Sequence, residues 1–352
     1  MSFLQIHLPQ RPTKRKLKET DVRTIQKYLF KKIGAGLIFA LSFLISAQAQ
    51  NFPSKPIRWV IVAPAGSSLD VIARAMQDKL RDQLGQSVVI ENKPQAGGTV
   101  GTAEVAQSAP DGYTWVMSYN GPLAFGPHLY PKLPYQPLRD LQPVMITTSQ
   151  PNVIAVSASL PVNTVSELIK LLQSNPGKYN YASVGNGSSS HLTMEYVKAL
   201  TQSFAVHIPF NGGPPALLAT ISGETQILAT VPTVIQPQVK NSKLKAIAVT
   251  GLTRYALMPD VPTVAESGIA SLKNFEAIAW NGVLIKSGTP RAVVDKINSA
   301  LNAALSDPQV RERIKSAGLD PVGGTPEQFT QLIQSESAKW APIIQRSGAR
   351  ID

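Results

Sequence analysis

Three times in this sequence a short apolar run ends in a turn of small residues that opens a helical pattern, at 64–68, 96–101 and 185–190. Strands and helices that alternate in this way confine a chain to folds with parallel strands, because parallel neighbours need a long crossover, usually a helix. Ile57 to Val62 (IRWVIV) reads as a buried strand. Val71, Ile72, Ala75, Met76, Leu80 and Leu84 follow at helical spacing, and Gly85 stands where a helix is expected to end. Ser87 to Glu91 is a second strand, Gly97 to Gly101 opens a helix to about Gln107, and Tyr113 to Ser118 is a third strand. The pattern then recurs. Strands are expected at Asn152 to Ser157, Tyr179 to Ser183, Ala205 to Ile208 and Lys245 to Thr250. Thr164 to Glu167 form a capping box, the turn at 185–190 opens a helix from His191 to Leu200, and Pro214-Pro215 start another through Ile221. A strand within Asn274 to Ile285 is placed to return to the first sheet, and Thr289-Pro290 and Thr325-Pro326 start the last two helices. The expected fold class is α/β, in two similar halves, each a parallel or mixed sheet flanked by helices.

Composition excludes several functions. The 352 residues are 43% apolar and 16% charged, which suits packed domains and not a disordered chain. Cysteine is absent, so there is no disulfide, thiolate metal site, thiol nucleophile or lipid-modified N-terminal cysteine. Four scattered histidines (His7, His128, His191, His207) make no zinc pattern, and no metal or cofactor is expected. The net charge of +12 resembles a nucleic-acid signal, but residues 1–49 hold nine Lys/Arg against two acids and supply more than half of the excess. In that segment Lys31-Lys32 precede an apolar run from Ile33 to Ile45 and the small-residue site Ala47-Gln48-Ala49. This is the order of a secretory signal peptide, and the run is shorter than the about 20 residues of a spanning helix. Residues 1–26 make the charged region unusually long, as if the start were set too far upstream. The expected mature protein, from Gln50, is exported, free of a lipid anchor, and binds no nucleic acid.

The turns carry the chemistry. Unpaired backbone N–H groups at a helix start, with the helix dipole behind them, attract anions, and small residues let a ligand approach the backbone. In open α/β sheets such turns lie at the carboxyl ends of strands, where ligands bind. Each turn also reads as a plain capped helix start, and Asp70 as a first-turn carboxylate that serves the loop and would compete with a bound anion. Gly97-Gly98-x-x-Gly101 lacks the full dinucleotide fingerprint. Ser189 with His191 would be a hydrolase pair, but there is no G-x-S-x-G motif and residues two apart on a helix do not face each other. His207 is expected in the core, and Trp280-Asn281-Gly282 either lines a cleft or packs a core. No paired carboxylates suggest acid–base catalysis.

The chain resembles the substrate-binding receptors of tripartite tricarboxylate transporters, the Bug family, from about Phe52 to the C-terminus. The resemblance rests on Pro56-Ile57-Arg58, Ala109 to Thr114 (APDGYT), Pro176-Gly177-Lys178 with Asn180 to Ser183, Gly185 to Ser188 with His191-Leu192, Pro259 to Glu266 (PDVPTVAE) and Gly323 to Glu327 (GGTPE). It implies a two-lobed periplasmic binding protein of type II-like architecture, with the ligand in the cleft between lobes. One lobe would be 50–150 plus 276–352 and the other 151–275, after a cleaved segment 1–49, with hinges at Ser149 to Asn152 and near Phe275. The implied ligand is a small carboxylate gripped by Ala65, Gly66, Ser67 and Ser68 after the first strand. Asn120, Gly121, Asn186, Gly187, Ser188, Ser189, Ser190 and Thr230 complete the expected site. The family's first loop usually has adjacent glycines, so Ser67 is expected to restrict φ and alter the cradle. Amino-acid binders often carry an acid where this chain has Ala229-Thr230, so a carboxylate without an amine is expected. The implied partners are integral membrane transporter subunits, or a sensor kinase ectodomain, engaged by a monomer. An exported serine hydrolase using Ser189 is the third reading.

Overall fold

The structure is a computed structural model and describes residues 52–351. The export segment read at 1–49 lies outside the described residues. One sheet contains β1 (Ile57–Ile61), β2 (Val88–Asn92), β3 (Thr114–Tyr119), β4 (Leu141–Pro151), β10 (Ile278–Lys286) and β11 (Pro321–Gly323), in the order β11-β4-β10-β3-β1-β2. β1 has parallel neighbours on both sides, with Trp59 opposite Trp115. Those two indoles meet edge to face, with centroids 5.9 Å apart, and both are fully buried. Burial on both faces explains why β1 is apolar apart from Arg58 and does not alternate. β10 is the expected returning strand, but it runs antiparallel to both β3 and β4, so the sheet is mixed.

The second sheet contains β5 (Val153–Ser157), β6 (Asn180–Ser183), β7 (Val206–Pro209), β8 (Ile227–Thr230) and β9 (Leu244–Val249), in the order β7-β6-β8-β5-β9. β6 is parallel to β7 and β8, whereas β5 is antiparallel to β8 and β9. The chain passes from the first sheet to the second at Asn152, between β4 and β5, and returns between β9 and β10. β4 was not expected from the pattern, since its eleven residues include Pro143 and Pro151. It lies next to the short edge strand β11, which pairs only with the stretch from Ile146 to Thr148, and proline is tolerated near a sheet edge.

The covering helices are α1 (Ser68–Leu84), α2 (Thr99–Ala106), α3 (Val165–Ser174), α4 (Ser189–Thr201), α5 (Gly213–Ser222), α6 (Pro232–Lys240), α7 (Arg291–Ser306), α8 (Pro308–Ser316) and α9 (Pro326–Ser347). α1 buries Ile72, Met76, Leu80 and Leu84, the stripe read from the sequence. α9 buries Phe329, Ile333, Trp340, Ile343 and Ile344. It also ties the two halves together, because Tyr196 of α4 lies against Trp340 at 5.5 Å and stacks on Phe275 at 4.9 Å. Aromatic pairs in this range stabilise by about 0.5–1.5 kcal/mol beyond the area they bury. α4 therefore has one end held on α9 while its N-terminus is left for other work.

Candidate functional site

The chain leaves β1 and turns at 64–67 into α1. Gly66 has φ 79, a left-handed conformation that glycine adopts without strain. Ser67 is the N-cap, in ordinary extended backbone at φ −69, and its Oγ accepts from Asp70 N at 3.4 Å. The expected distortion by Ser67 is thus corrected: the position needing glycine is 66, and any residue could adopt the backbone at 67. Asp70 is buried. Its carboxylate accepts from Gly66 N at 2.9 Å, Arg74 Nε at 2.9 Å and Asn92 Nδ2 at 3.0 Å. Burial works against its ionisation, but these bonds outweigh it and hold its carboxyl below the usual range. The Gly66 N–H is therefore occupied from within. Ser67 N–H donates to Pro64 O at 3.1 Å, and the two after it, on Ser68 and Leu69, have no partner among the described residues.

The turn after β6 repeats the arrangement. Ser188 is the N-cap of α4, accepting from His191 N at 3.2 Å and donating to Gly185 O at 2.6 Å. His191 Nδ1 accepts from Gly187 N at 3.2 Å, so its proton resides on Nε2. Burial, with the Lys198 charge added, lowers its pKa to about 4. The N–H groups of Ser189 and Ser190 have no partner among the described residues. Ser189 Oγ accepts from Asn152 Nδ2 at 3.3 Å, so its neighbour is an amide and not an imidazole. Ser190 Oγ accepts from Val184 N and donates to Ala229 O, which joins the ends of β6 and β8. His207 is corrected too. It is half-buried on the edge strand β7, stacked on His191 at 4.0 Å and bonded through Nε2 to Ser183 Oγ at 2.6 Å.

The third turn has a different use. Tyr119 OH donates to Gly97 O at 2.6 Å and Tyr130 OH to Ala96 O at 3.3 Å, so the side chains of β3 and its following segment pin it. Burial pushes the Tyr119 phenol far above its usual range, so it stays a donor. The turns of the two halves touch here. A β-carbon on Gly121 would stand 2.6 Å from Gly187 O and 2.5 Å from Tyr119 Cε2, so only glycine fits.

These turns surround a cavity of about 780 Å³. Gly66, Ser67, Ser68, Asn120, Asn186, Ser188, Ser189, Ser190 and Thr230 all line it. Ala65, Gly121 and Gly187 do not; Ala65 is exposed, and the two glycines are consumed by the contact between the turns. Trp280 and Asn281 reach the wall, but Trp280 Nε1 is bonded to Glu336 and Asn281 to Thr147 and Thr148, so most of that motif packs. Tyr119, read from the resemblance with Asn120 and Gly121 as a cleft-facing strand end, is on the wall, and sequence reading missed Gln150, Asn152, Phe210 and Val234 as wall residues. Only Asn152 carried a signal, as a polar residue at the head of a strand. No Asp, Glu, Lys, Arg or His lines the cavity among the described residues. What faces an occupant is four free N–H groups at two helix starts, hydroxyls of Ser68, Ser189 and Thr230, and apolar walls from Val62, Phe210 and Val234.

Comparison with known proteins agrees with this geometry. The model of the tripartite tricarboxylate transporter family receptor matches residues 72–349. A protein encoded in the tcbD-tcbE intergenic region of Pseudomonas sp. strain P51 is 35% identical over 317 residues, 89% of this chain and 93% of the relative. Among solved structures, Rpa4515 of R. palustris with adipate superposes with TM-score 0.78 at 27% identity, covering 84% of this chain and 98% of that one. MatC of Rhodopseudomonas palustris with bound malate has TM-score 0.77 at 30% identity, covering 83% and 100%. Two mixed sheets, a cavity ringed by helix starts and these matches lead to one conclusion: the chain belongs to the tripartite tricarboxylate transporter receptor family.

Proposed function

We propose that this protein is a periplasmic receptor that captures a small organic carboxylate by closure of two lobes and hands it, unchanged, to a tripartite membrane transporter. The lobes are 50–150 with 276–352, and 151–275, moving about the crossings at 149–152 and near 275. The observation that carries this reading is the cavity wall, which has free backbone donors from two helices and no charged side chain. Neutral oriented dipoles bind an anion without a counter-charge, and a ligand that bridges both helix starts rewards closure. The binding groups are the N–H groups of Ser68, Leu69, Ser189 and Ser190 and the hydroxyls of Ser68, Ser189 and Thr230. Thr230 is on the wall and no acid is beside it, which supports a ligand without an ammonium group. The relatives solved with adipate and malate support a carboxylate with more than one acidic end. The signal pattern at 31–49 and the family's transporter support export to the periplasm.

The test is a thermal-shift and calorimetric screen of protein unfolded and refolded to strip carried-over ligand. The panel holds mono-, di- and tricarboxylates, aromatic acids and acidic amino acids. A ligand at 100 times its Kd should stabilise by about 2.7 kcal/mol. A flat response from folded protein would overturn the reading.

A further inference from the structure

Both passages of chain between the two sheets meet at one buried residue. Asn152 is 1% exposed and stands where β4 gives way to β5. Its backbone is held by the returning passage. Asn152 N donates to Thr250 Oγ1 at 2.8 Å, Thr250 N donates to Asn152 O at 2.9 Å, and Thr250 Oγ1 donates to Ala277 O at 2.5 Å. The side chain reaches the other way, to the start of α4. Asn152 Nδ2 donates to Ser189 Oγ at 3.3 Å and to Thr193 Oγ1 at 3.1 Å, so both of its N–H groups are used. Ser189 is the first residue of α4, is half-buried and lines the cavity. A hydroxyl has two lone pairs and one proton. Asn152 occupies a lone pair of Ser189 Oγ, and the proton of that hydroxyl has no acceptor among the described residues. A carboxylate accepts and cannot donate, so it matches what the amide leaves over.

We propose that Asn152 is a positioning residue that acts through Ser189: it occupies the hydroxyl oxygen from behind and so presents the proton to a carboxylate in the cavity. This rests on the receptor reading above and deepens it. The N–H groups of Ser189 and Ser190 are aimed by the helix itself, whereas a serine hydroxyl rotates to suit its surroundings. The buried amide sets that rotor before the ligand arrives, and binding then does not have to restrict it.

The test measures Kd by calorimetry on ligand-stripped protein with malate, adipate, citrate and benzoate, and carries the variants through on the acid that binds tightest. Ser189→Ala should weaken binding at least about tenfold, the scale of a hydrogen bond to a charged acceptor. Asn152→Leu, which keeps the branched shape and removes the donors, should weaken binding at least about threefold in the wild-type background and less than about twofold in Ser189→Ala, where its partner is gone. Unchanged affinity in Ser189→Ala overturns the proposal. So does an equal loss from Asn152→Leu in both backgrounds, which would show that Asn152 only shapes the crossing. Asn152→Asp is isosteric with the native residue and is measured at about pH 8, where the carboxyl is ionised. It accepts from Ser189, turns that proton away from the cavity, and should weaken binding at least about tenfold. Wild-type affinity in Asn152→Asp would show that the amide oxygen, not its nitrogen, faces Ser189, and also overturns the proposal. Each of these failures leaves the receptor reading intact. Binding of none of the four acids, nor of any acid in the wider panel, overturns both.

Discussion

The starts of α1 and α4 are built to the same plan with opposite chemistry. In each, an N-cap serine accepts from the third helical N–H, and the side chain of that third residue reaches back to the N–H just before the cap. In α1 that side chain is Asp70, an ionised carboxylate shared with Arg74 and Asn92. In α4 it is His191, a neutral imidazole stacked on His207, which lies between it and Tyr181. The difference teaches two things. Asp70 places a negative charge in the first turn of α1 and offsets part of the dipole an anion would use, whereas α4 has no acid in its first turn and keeps its full attraction. And the two loops answer differently to pH.

The largest effect should come from removing the charged brace. Asp70→Ala leaves the Gly66 N–H, the Asn92 amide and Arg74 without their acceptor and should destabilise by about 2–3 kcal/mol, read as a fall in Tm. An unchanged Tm would show that the brace is dispensable. Next is acidification to pH 5, where the loss is about 2 kcal/mol. His191 is neutral in the fold with its pKa depressed to about 4 from 6.5, so the unfolded chain takes up the proton first. Its stabilisation is complete above about pH 6.5 and is lost as pH falls from there through 4, by on the order of 1.4 kcal/mol per unit of depression. The carboxyl of Asp70 is also depressed, so its stabilisation persists until pH drops below the usual carboxylate range, near 3.9. Amide hydrogen exchange at pH 5 should therefore show the 184–191 turn opening before the 63–70 turn, and the reverse order would break the comparison. Smaller is Ser188→Ala, which removes both a cap and a donor to Gly185 O and should cost about 1–2 kcal/mol by denaturant unfolding. Smallest is Ser67→Gly. Its cap bond is 3.4 Å long, and the change should cost only a few tenths of a kcal/mol and leave ligand affinity unaltered. A large loss of affinity there would show that the Ser67 hydroxyl binds ligand.

Much of the fold was legible because its signals are local. The IRWVIV run, the stripe of α1, the Thr-Pro starts and the serine caps are set by neighbours a few residues away, and the strands and helices lie within a residue or two of where they were read. The placement of the three small-residue turns was legible for the same reason. β4 and α6 were not, since their prolines argue against regular structure and long-range pairing overrides them.

By itself the sequence determined two α/β halves, three small-residue turns at helix starts and the absence of any thiol. Which turns share one cavity was decided by tertiary structure. So were the sealing of Gly121 against Gly187, the bond of Asn152 to Ser189 and the back-reaching bond of His191 to Gly187. The physical reason is that backbone propensity and capping are properties of adjacent residues. A cavity wall and its unsatisfied groups are properties of residues far apart in the chain, which only the packing of two sheets brings together.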